Sequence, residues 1–346
     1  MRLVATLAVL ACLVAGSSYA ATRATESKDV ILVTHDSFAI SKTVKAAFEH
    51  ETGLRLRILQ TGDAGAALNR ALLTAGTPEG DVFFGVDNNL LTRALGANLL
   101  VPYRSPALGT VDPRYDLDPT HRLTPIDHSE VCLVYDRAWF ERHNMAPPRS
   151  LGQIVQYGKL LVVENPATST PGLAFMLATI ARFNRYNGWA TVWSELRGKV
   201  LVTSGWDEAY NARFSGSSSH KGTRPIVVSY STDPAAEVYF AGKPLTQSPV
   251  AVVPDSCFRQ IEFAGILRGA KNPDGARKLV DFFLSGQFQA GMPLTMFVLP
   301  TRRGVPLPQV FRTFTPPIPH PLQLPAKTIG ANRDAWIKEW THIVLR

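Results

Sequence analysis

Aromatic and acidic side chains come directly after several short apolar runs in this sequence, where a strand would end and a loop begin. These residues are Asp63, Trp206 and the segment Tyr230-Ser231-Thr232-Asp233. Aromatic faces attract cations and stack on flat rings, while carboxylates neutralise positive charge. Because the carboxyl ends of strands in α/β sheets are where ligands bind, we expect these side chains to share one cleft. Together they predict a pocket for a flat, positively charged molecule.

Two of these positions also have a purely structural interpretation, and the sequence does not choose between the two roles. Asp63 precedes a predicted helix, so its carboxylate would cap the amides of residues 65–68 or contact a ligand. Asp233 stands before Pro234, a pair typical of the first turn of a helix. If Asp233 instead faces the cleft, its charge favours a cation and repels phosphate, which predicts a preference for an unphosphorylated ligand.

A possible anion site is indicated by Thr168-Ser169-Thr170-Pro171, which has a hydroxyl cap and a proline in the first turn of a predicted helix. Free amides at the positive end of a helix bind anions, and the hydroxyls of Ser169 and Thr170 would add donors. Simple capping of the helix by Ser169 is the commoner role for such a pattern.

Catalytic and metal-binding motifs are missing from the sequence. It contains no GxSxG elbow, Walker loop, HExxH or CxxC pattern, and no GxGxxG after a strand. We therefore predict a binding protein and not an enzyme, with no catalytic residues, no metal site and no cofactor.

The composition is that of a folded protein large enough for two domains, with 346 residues of which 45% are hydrophobic. The formal net charge is +8, from 36 basic and 28 acidic residues. Since the basic residues are scattered along the chain, we expect a solvated basic surface and no nucleic-acid partner.

The first 20 residues have the pattern of a secretory signal peptide. Arg2 precedes an apolar stretch over residues 3–16, and small residues at Ser18 and Ala20 suit cleavage after Ala20. Cleavage would remove Cys12 and leave Cys132 and Cys257 in an oxidising compartment. A disulfide and two buried free thiols are equally compatible with the sequence.

Short apolar runs alternate with helical stretches from residue 28 onward, which predicts two α/β lobes, each a mainly parallel sheet flanked by helices. The apolar runs predict strands over residues 30–34, 54–59, 81–86, 130–135, 159–163, 199–202, 225–230 and 248–253, and a helix is predicted to start at Ser150. The i,i+4 spacing of Trp336 and Trp340 predicts that the last helix docks on the core. A loop-like stretch with five prolines, residues 102–125, separates the two groups of elements. A helix over residues 273–285 is expected to return to the first lobe. The predicted boundaries are 28–125 for the first part of lobe 1, 126–256 for lobe 2, and 257–346 for the return to lobe 1 and the C-terminal helices, with hinge strands joining the lobes.

Several blocks of this chain resemble the periplasmic thiamine-binding proteins of bacterial ABC importers. The blocks are Thr34-His35-Asp36-Ser37-Phe38, Asp63 with Leu68-Asn69-Arg70, Gly85-Val86-Asp87-Asn88-Asn89-Leu90-Leu91, Thr168-Ser169-Thr170-Pro171-Gly172-Leu173, Gly205-Trp206-Asp207-Glu208-Ala209-Tyr210, Ser229-Tyr230, and Ala335-Trp336-Ile337 with Glu339-Trp340. The resemblance implies a two-lobed periplasmic-binding-protein fold whose cleft closes on thiamine or its mono- or diphosphate. It further implies a periplasmic monomer that delivers the ligand to the transmembrane subunits of an ABC permease.

Carried over by motif, the resemblance implies a set of ligand-binding positions in this sequence. They are Asp63, Ala64, Ser169, Thr170, Trp206, Tyr230, Ser231, Thr232 and Asp233, with Phe297 and His35 as weaker additions. Four of these ligand-binding positions depart from the family pattern. The family has glycine at Ala64, serine at Asp233, tryptophan near Phe297 and tyrosine near His35. A further tyrosine of the pattern falls near Ala236. These departures predict fewer aromatic rings around the ligand than in the family pattern.

The main alternative is a solute-binding protein for ferric ion or a polyamine. Ferric clamps of related proteins use neighbouring tyrosines, whereas Tyr230 is followed here by Ser231. A secreted hydrolase that uses Asp63 or Asp233 has no supporting motif, and a structural or nucleic-acid-binding envelope protein would rest on charge alone.

Overall fold

The structure is a computed structural model that describes residues 28–184, 187–219 and 221–346, so the predicted signal peptide and Cys12 lie outside the described residues. The strands are β1 (Asp29–Thr34), β2 (Arg55–Gln60), β3 (Val82–Asp87), β4 (Leu100–Val101), β5 (Thr124–Asp136), β6 (Leu161–Glu164), β7 (Leu201–Thr203), β8 (Ile226–Tyr230), β9 (Val250–Leu267) and β10 (Leu299–Pro300). The predicted strands over residues 30–34, 54–59 and 81–86 are confirmed as β1, β2 and β3.

The helices pack on both sides of these strands. They are α1 (Lys42–Thr52), α2 (Ala64–Leu73), α3 (Leu91–Gly96), α4 (Arg137–Arg142), α5 (Thr170–Phe183), α6 (Gly188–Leu196), α7 (Asp233–Phe240), α8 (Pro273–Phe283), α9 (Gly286–Gly291), α10 (Gln309–Phe314) and α11 (Ala326–Leu345). The helix predicted to start at Ser150 is a 3₁₀ helix, Leu151–Leu160, and a π-helical turn covers Glu208–Arg213. Local signals explain the ends of α1, since Ser41 caps its first turn and Gly53 ends it at φ +70°.

The strands form one sheet in the order β2-β1-β3-β9-β5-β8-β6-β7, with β4 paired to β9 and β10 paired to β5. At one end β1 runs parallel to β2 and β3, and at the other end β6 runs parallel to β7 and β8. The long strands β5 and β9 lie antiparallel between these two groups. This confirms the predicted α/β fold with mainly parallel sheets joined by long strands.

Strands β5 and β9 are longer than the sequence indicated. The apolar runs predict strands only over residues 130–135 and 248–253, whereas β5 has 13 residues and β9 has 18. Polar residues such as Asp127 and Glu262 interrupt the apolar pattern, yet they lie within the paired strands, opposite each other in register. The two strands therefore continue through residues 126 and 256, where the predicted lobe boundaries lie.

A disulfide joins these two long strands. Cys132 and Cys257 are bonded, both are fully buried, and they lie where the register of the β5–β9 pair shifts. The structure thus decides between the two states that the sequence left open, in favour of the disulfide.

The C-terminal helix docks on the core through the residue pair that the i,i+4 spacing indicated. Trp340 is fully buried, with its ring centroid 5.3 Å from that of Trp193 on α6, and Trp336 packs partly buried against the same core. Within the described ranges, none of the helices combines the length and apolar character that a membrane span requires.

Removal of the disulfide should destabilise the protein, because the bond closes a loop of 125 residues in the unfolded chain. We expect Cys132→Ala to lower the free energy of unfolding by about 2–5 kcal/mol, measured by urea denaturation. The double variant Cys132→Ala/Cys257→Ala should cost little more, because the cross-link is already lost. Equal stability of the wild type with and without a reductant would contradict this expectation.

Candidate ligand-binding site

The carboxyl ends of the parallel strands at both ends of the sheet face one cavity of about 320 Å³. The loops after β1 and β2 bring His35 and Asp63, and the loops after β6, β7 and β8 bring Thr170, Trp206 and the segment that starts at Tyr230. Within each parallel group the strands present their carboxyl ends at one edge, which is where α/β sheets bind ligands, and the loops at both of these edges line this cavity. The cavity is therefore the place where the two halves of the sheet meet.

Most of the predicted site residues line this cavity. They are His35, Asp63, Ala64, Thr170, Trp206, Tyr230, Asp233 and Phe297, and Ala236 lines it as well. The residues come from segments more than 200 positions apart in the chain, and the fold brings them together as the resemblance implies.

Three predicted residues lie behind the cavity wall and do not line it. Ser169 is buried, and its hydroxyl accepts from the backbone N–H of Gly172 at 3.5 Å, so it caps α5. Ser231 is fully buried and donates to Oε2 of Glu130 at 3.0 Å. Thr232 is also fully buried. These side chains support the loops that carry the lining residues.

Asp63 has a different role from the helix cap that its position suggested. Its side chain makes no capping bond to α2. Instead, Oδ1 accepts from the N–H of Thr170 at 3.2 Å, and Oδ2 accepts from the N–H of Trp206 at 3.1 Å. The capping interpretation is therefore wrong, because the nearer partners in space belong to the opposite end of the sheet. Asp63 joins the loop after β2 to the loops after β6 and β7.

Close backbone approaches surround this carboxylate. The N–H of Ala66 donates to the carbonyl oxygen of Thr168 at 2.9 Å. A Cβ atom on Gly65 would lie 2.6 Å from that same carbonyl oxygen, and one on Gly205 would lie 3.1 Å from Oδ2 of Asp63. The two ends of the sheet are thus in direct contact in this structure, at glycines that leave room for it.

The surroundings of Asp63 have opposing effects on the pKa of its carboxyl. Burial raises the pKa of the carboxyl, while the bonds from the Trp206 and Thr170 amides, from the Ser169 hydroxyl and the nearby His35 oppose that rise. The net direction is upward. Charge-assisted bonds of this kind are roughly twice as strong as neutral ones.

Aromatic rings form one wall of the cavity. The indole of Trp206 stacks on the ring of Tyr210, with centroids 5.1 Å apart and planes at 16°, and it lies 6.2 Å from the ring of Tyr230. Its N–H donates to the hydroxyl of Ser229 at 2.8 Å. Because that donor is already used by the protein, Trp206 offers the cavity a ring face and not a hydrogen bond.

A second aromatic group at the cavity is formed by α7 and the loop before β10. Phe240 and Phe297 both line the cavity, with ring centroids 4.9 Å apart, and Phe240 is 54% exposed. Phe297 adopts φ +55°, a left-handed conformation that is unfavourable for a bulky residue. Such strain is often retained at functional sites, and here it places the Phe297 ring at the cavity.

Asp233 lies in the first turn of α7, as the Asp-Pro pair indicated, and its carboxylate also lines the cavity. Oδ2 accepts from the backbone N–H of Tyr230 at 3.1 Å. Burial raises the pKa of this carboxyl well above its usual range, against the hydrogen bonds from Ser229 and Tyr230. The alternative that Asp233 caps α7 is therefore wrong, because Asp233 is already inside the helix and its carboxylate accepts from Tyr230, before the helix begins.

Several lining residues escaped the sequence analysis. They are Tyr210, Glu237, Phe240 and Glu262. Tyr210 follows Trp206 by four residues, a spacing that signals a shared helical face, and Glu262 is a charged residue inside an apolar run. The Glu262 signal is the stronger one, because a charged side chain that loses water inside a strand must be compensated by a partner.

The cavity is strongly acidic. The described residues that line it include the carboxylates of Asp36, Asp63, Asp207, Asp233, Glu237 and Glu262, and no lysine or arginine. Across the described ranges there is no group of three or more histidine, cysteine, aspartate or glutamate side chains placed to hold a metal ion. The arrangement suits an organic cation.

Comparison with known proteins agrees with this architecture. A family model described as bacterial extracellular solute-binding protein matches residues 78–315. The chain belongs to this family. It is 30% identical over 328 residues to a thiamine-binding periplasmic protein of Escherichia coli (strain K12), an alignment that covers 92% of this chain and 95% of that protein.

Two further relatives support the motif-based resemblance. A thiamine-binding periplasmic protein of Brucella suis biovar 1 (strain 1330) is 30% identical over 327 residues, covering 92% of each chain. A solved structure of a periplasmic thiamin binding protein superposes with a TM-score of 0.81 at 29% identity, covering 92% of this chain and 96% of that one. The predicted resemblance to periplasmic thiamine-binding proteins is confirmed.

The bonds of Asp63 should hold the two ends of the sheet together. A hydrogen bond to a charged acceptor contributes about 1.5–3 kcal/mol, so Asp63→Ala should speed hydrogen exchange at the amides of Thr170 and Trp206 about tenfold or more. Asp36→Ala is the matched control, since Asp36 is an exposed carboxylate on the same cavity wall whose side chain contacts its neighbour Ser37. Unchanged exchange at both amides in Asp63→Ala would show that the carboxylate does not stabilise this contact.

Proposed function

We propose that this chain is an extracytoplasmic binding protein that captures thiamine in the cavity between the two ends of its sheet and delivers it to an ABC permease. The observation that carries the proposal is the cavity itself, which combines aromatic ring faces with carboxylates and has no lysine or arginine among its described lining residues. The names of the thiamine-binding relatives point to the same ligand class.

Thiamine has the chemical groups that this cavity would recognise. Its thiazolium ring carries a positive charge, which the carboxylates of the wall would neutralise, and both of its rings are flat. Trp206 and Tyr230 offer aromatic faces that stack on such rings and attract a cation. Thiamine would use both the carboxylates and the aromatic ring faces of the cavity, whereas a simple inorganic ion would use only the carboxylates.

The phosphate esters of thiamine fit less well than thiamine itself. The helix start that would receive a phosphate is occupied, because the N–H of Thr170 donates to Asp63 and the N–H of Gly172 donates to Ser169. At the start of α7 the Asp233 carboxylate already sits in the first turn. We therefore propose that the unphosphorylated cation is the preferred ligand.

The proposal includes a two-lobed mode of action. Residues 28–125 and 257–346 would form one lobe and residues 126–256 the other, with β5 and β9 as the hinge strands that cross between them. Closure of the lobes would bring Asp63 onto the amides of Thr170 and Trp206, the contact that this structure contains. Export would follow cleavage of the signal peptide after Ala20, and the protein would act in the periplasm as a monomer.

Thiamine should bind to the purified protein and quench its intrinsic fluorescence, because Trp206 lies at the cavity. Trp206→Ala should weaken binding by about 1–3 kcal/mol, a factor of roughly 5 to 150 in Kd, measured by isothermal titration calorimetry. Trp206→Phe should lose less, because a ring face remains.

The control variant is Trp336→Ala, which removes an indole that packs on the core and does not line the cavity. Its Kd for thiamine should equal that of the wild type. Ferric citrate and spermidine are titrated in parallel, and tight binding of either one without thiamine binding would replace the thiamine assignment with the corresponding alternative.

A further inference from the structure

A histidine and a glutamate form an ion pair at the cavity wall on the long strand β9. Nε2 of His35 lies 3.4 Å from Oε1 of Glu262, and each side chain is 13% exposed. Both residues line the cavity. In the sheet, Glu262 is in register with Asp87 on β3 and with Asp127 on β5, so carboxyl groups flank it on both sides.

The two flanking carboxyl groups do not compete with Glu262 for a cation. Asp87 is saturated by protein donors, the amides of Asn89 and Leu90 and the side chains of Asn89 and Gln260. Asp127 is 2% exposed and does not line the cavity, and burial together with the Glu262 charge raises the pKa of its carboxyl well above the usual range. The charge that faces the cavity from this group is that of Glu262.

His35 balances that charge in this structure. Burial lowers the pKa of the imidazole, but the carboxylates of Glu262, Asp63 and Asp36 outweigh burial and raise it above its ordinary value. Among the described lining residues, His35 is the one side chain able to carry positive charge. It occupies the position, beside a cavity carboxylate, that a cationic ligand would need.

We propose that Glu262 is the counter-ion of the bound ligand's cationic ring, and that His35 neutralises Glu262 until the ligand arrives. This inference rests on the proposed function in so far as the ligand is a cation. Two positive charges cannot both lie against one carboxylate in a partly desolvated cavity without strong repulsion. The ligand cation therefore displaces the proton of His35, which passes to solvent and leaves a neutral imidazole beside the ligand.

Because the ligand replaces protonated His35 as the partner of Glu262, binding of the ligand should depend on pH. Protonated His35 must lose its proton to let the ligand bind, so Kd should rise about tenfold for each pH unit below the pKa of His35 in the free protein, and level off above it. The titratable groups that interact with Glu262 are His35 in the loop after β1, Asp87 on β3, Asp127 on β5 and Tyr230 at the end of β8. The pKa of Asp87 is raised by burial to about 7, so this carboxyl must be distinguished from His35.

Calorimetric titration of the full chain with thiamine, at pH 6 and pH 8 and in two buffers of different ionisation enthalpy, measures the protons released. The wild type should release about one proton at pH 6 and bind more weakly there than at pH 8. His35→Gln should bind equally at both pH values with no proton release. Proton release that persists in His35→Gln would assign the linkage to another group, such as Asp87, and overturn the role of His35.

Glu262→Gln keeps the size of the side chain and removes its charge, so we expect Kd for thiamine to rise tenfold or more and the pH dependence to disappear. A change of less than twofold would overturn the role of Glu262. If Glu262→Gln does not fold, as judged by thermal unfolding, the NMR titration of the His35 ring in the wild type and in Asp127→Asn replaces it. A His35 pKa at or below 6.5 in the wild type would then overturn the ion pair.

Spermidine, a cation without an aromatic ring, separates this inference from the thiamine assignment. Proton release on spermidine binding, without any binding of thiamine, would support Glu262 as the counter-ion and overturn the proposed thiamine function. Thiamine binding without proton release would leave that function standing and overturn this inference. Failure of both cations to bind would overturn both.

Discussion

Negative charge buried between the two ends of the sheet is the constraint on which this structure depends. A carboxylate that leaves water must find hydrogen-bond donors, a cation or a proton. Asp63 finds donors in the amides of Thr170 and Trp206, while burial beside Glu262 raises the pKa of the Asp127 carboxyl and so favours its protonated form. Each of these contacts joins parts of the chain that are distant in sequence, so the acidic side chains of the cavity also hold its walls in place.

The topology explains why so many carboxylates converge there. Parallel strands at both ends of the sheet direct their carboxyl ends to the same cavity, while the long strands β5 and β9 connect the two groups and are joined by the Cys132–Cys257 disulfide. Glu262 on β9 lines the cavity and lies in register with the buried Asp127 on β5. The same elements thus provide the mechanical link between the halves and the acidic character of the site.

Local sequence signals were sufficient to predict much of this arrangement. The apolar runs that form β1, β2, β3 and β8 and the aromatic and acidic residues after them, such as Trp206 and Tyr230, were predictable because each signal lies within a few residues. The motif resemblance added positions such as Phe297.

The partners of Asp63 were not predictable, because they lie 107 and 143 residues away in the chain. Ser231 and Thr232 were assigned to the site with the whole segment 230–233 by the motif resemblance, but they lie behind the wall. Glu262 was not assigned to the site, because its place at the cavity depends on β9 continuing beyond the apolar run at residues 248–253.

The central claim is that the cavity is built for an organic cation and against an anion. It is tested most directly by titrating the wild type and Asp233→Ser with thiamine, thiamine monophosphate and thiamine diphosphate. The account predicts that affinity of the wild type falls with each added phosphate, and that Asp233→Ser narrows the difference between the three ligands. Equal or tighter binding of the diphosphate by the wild type would contradict the account.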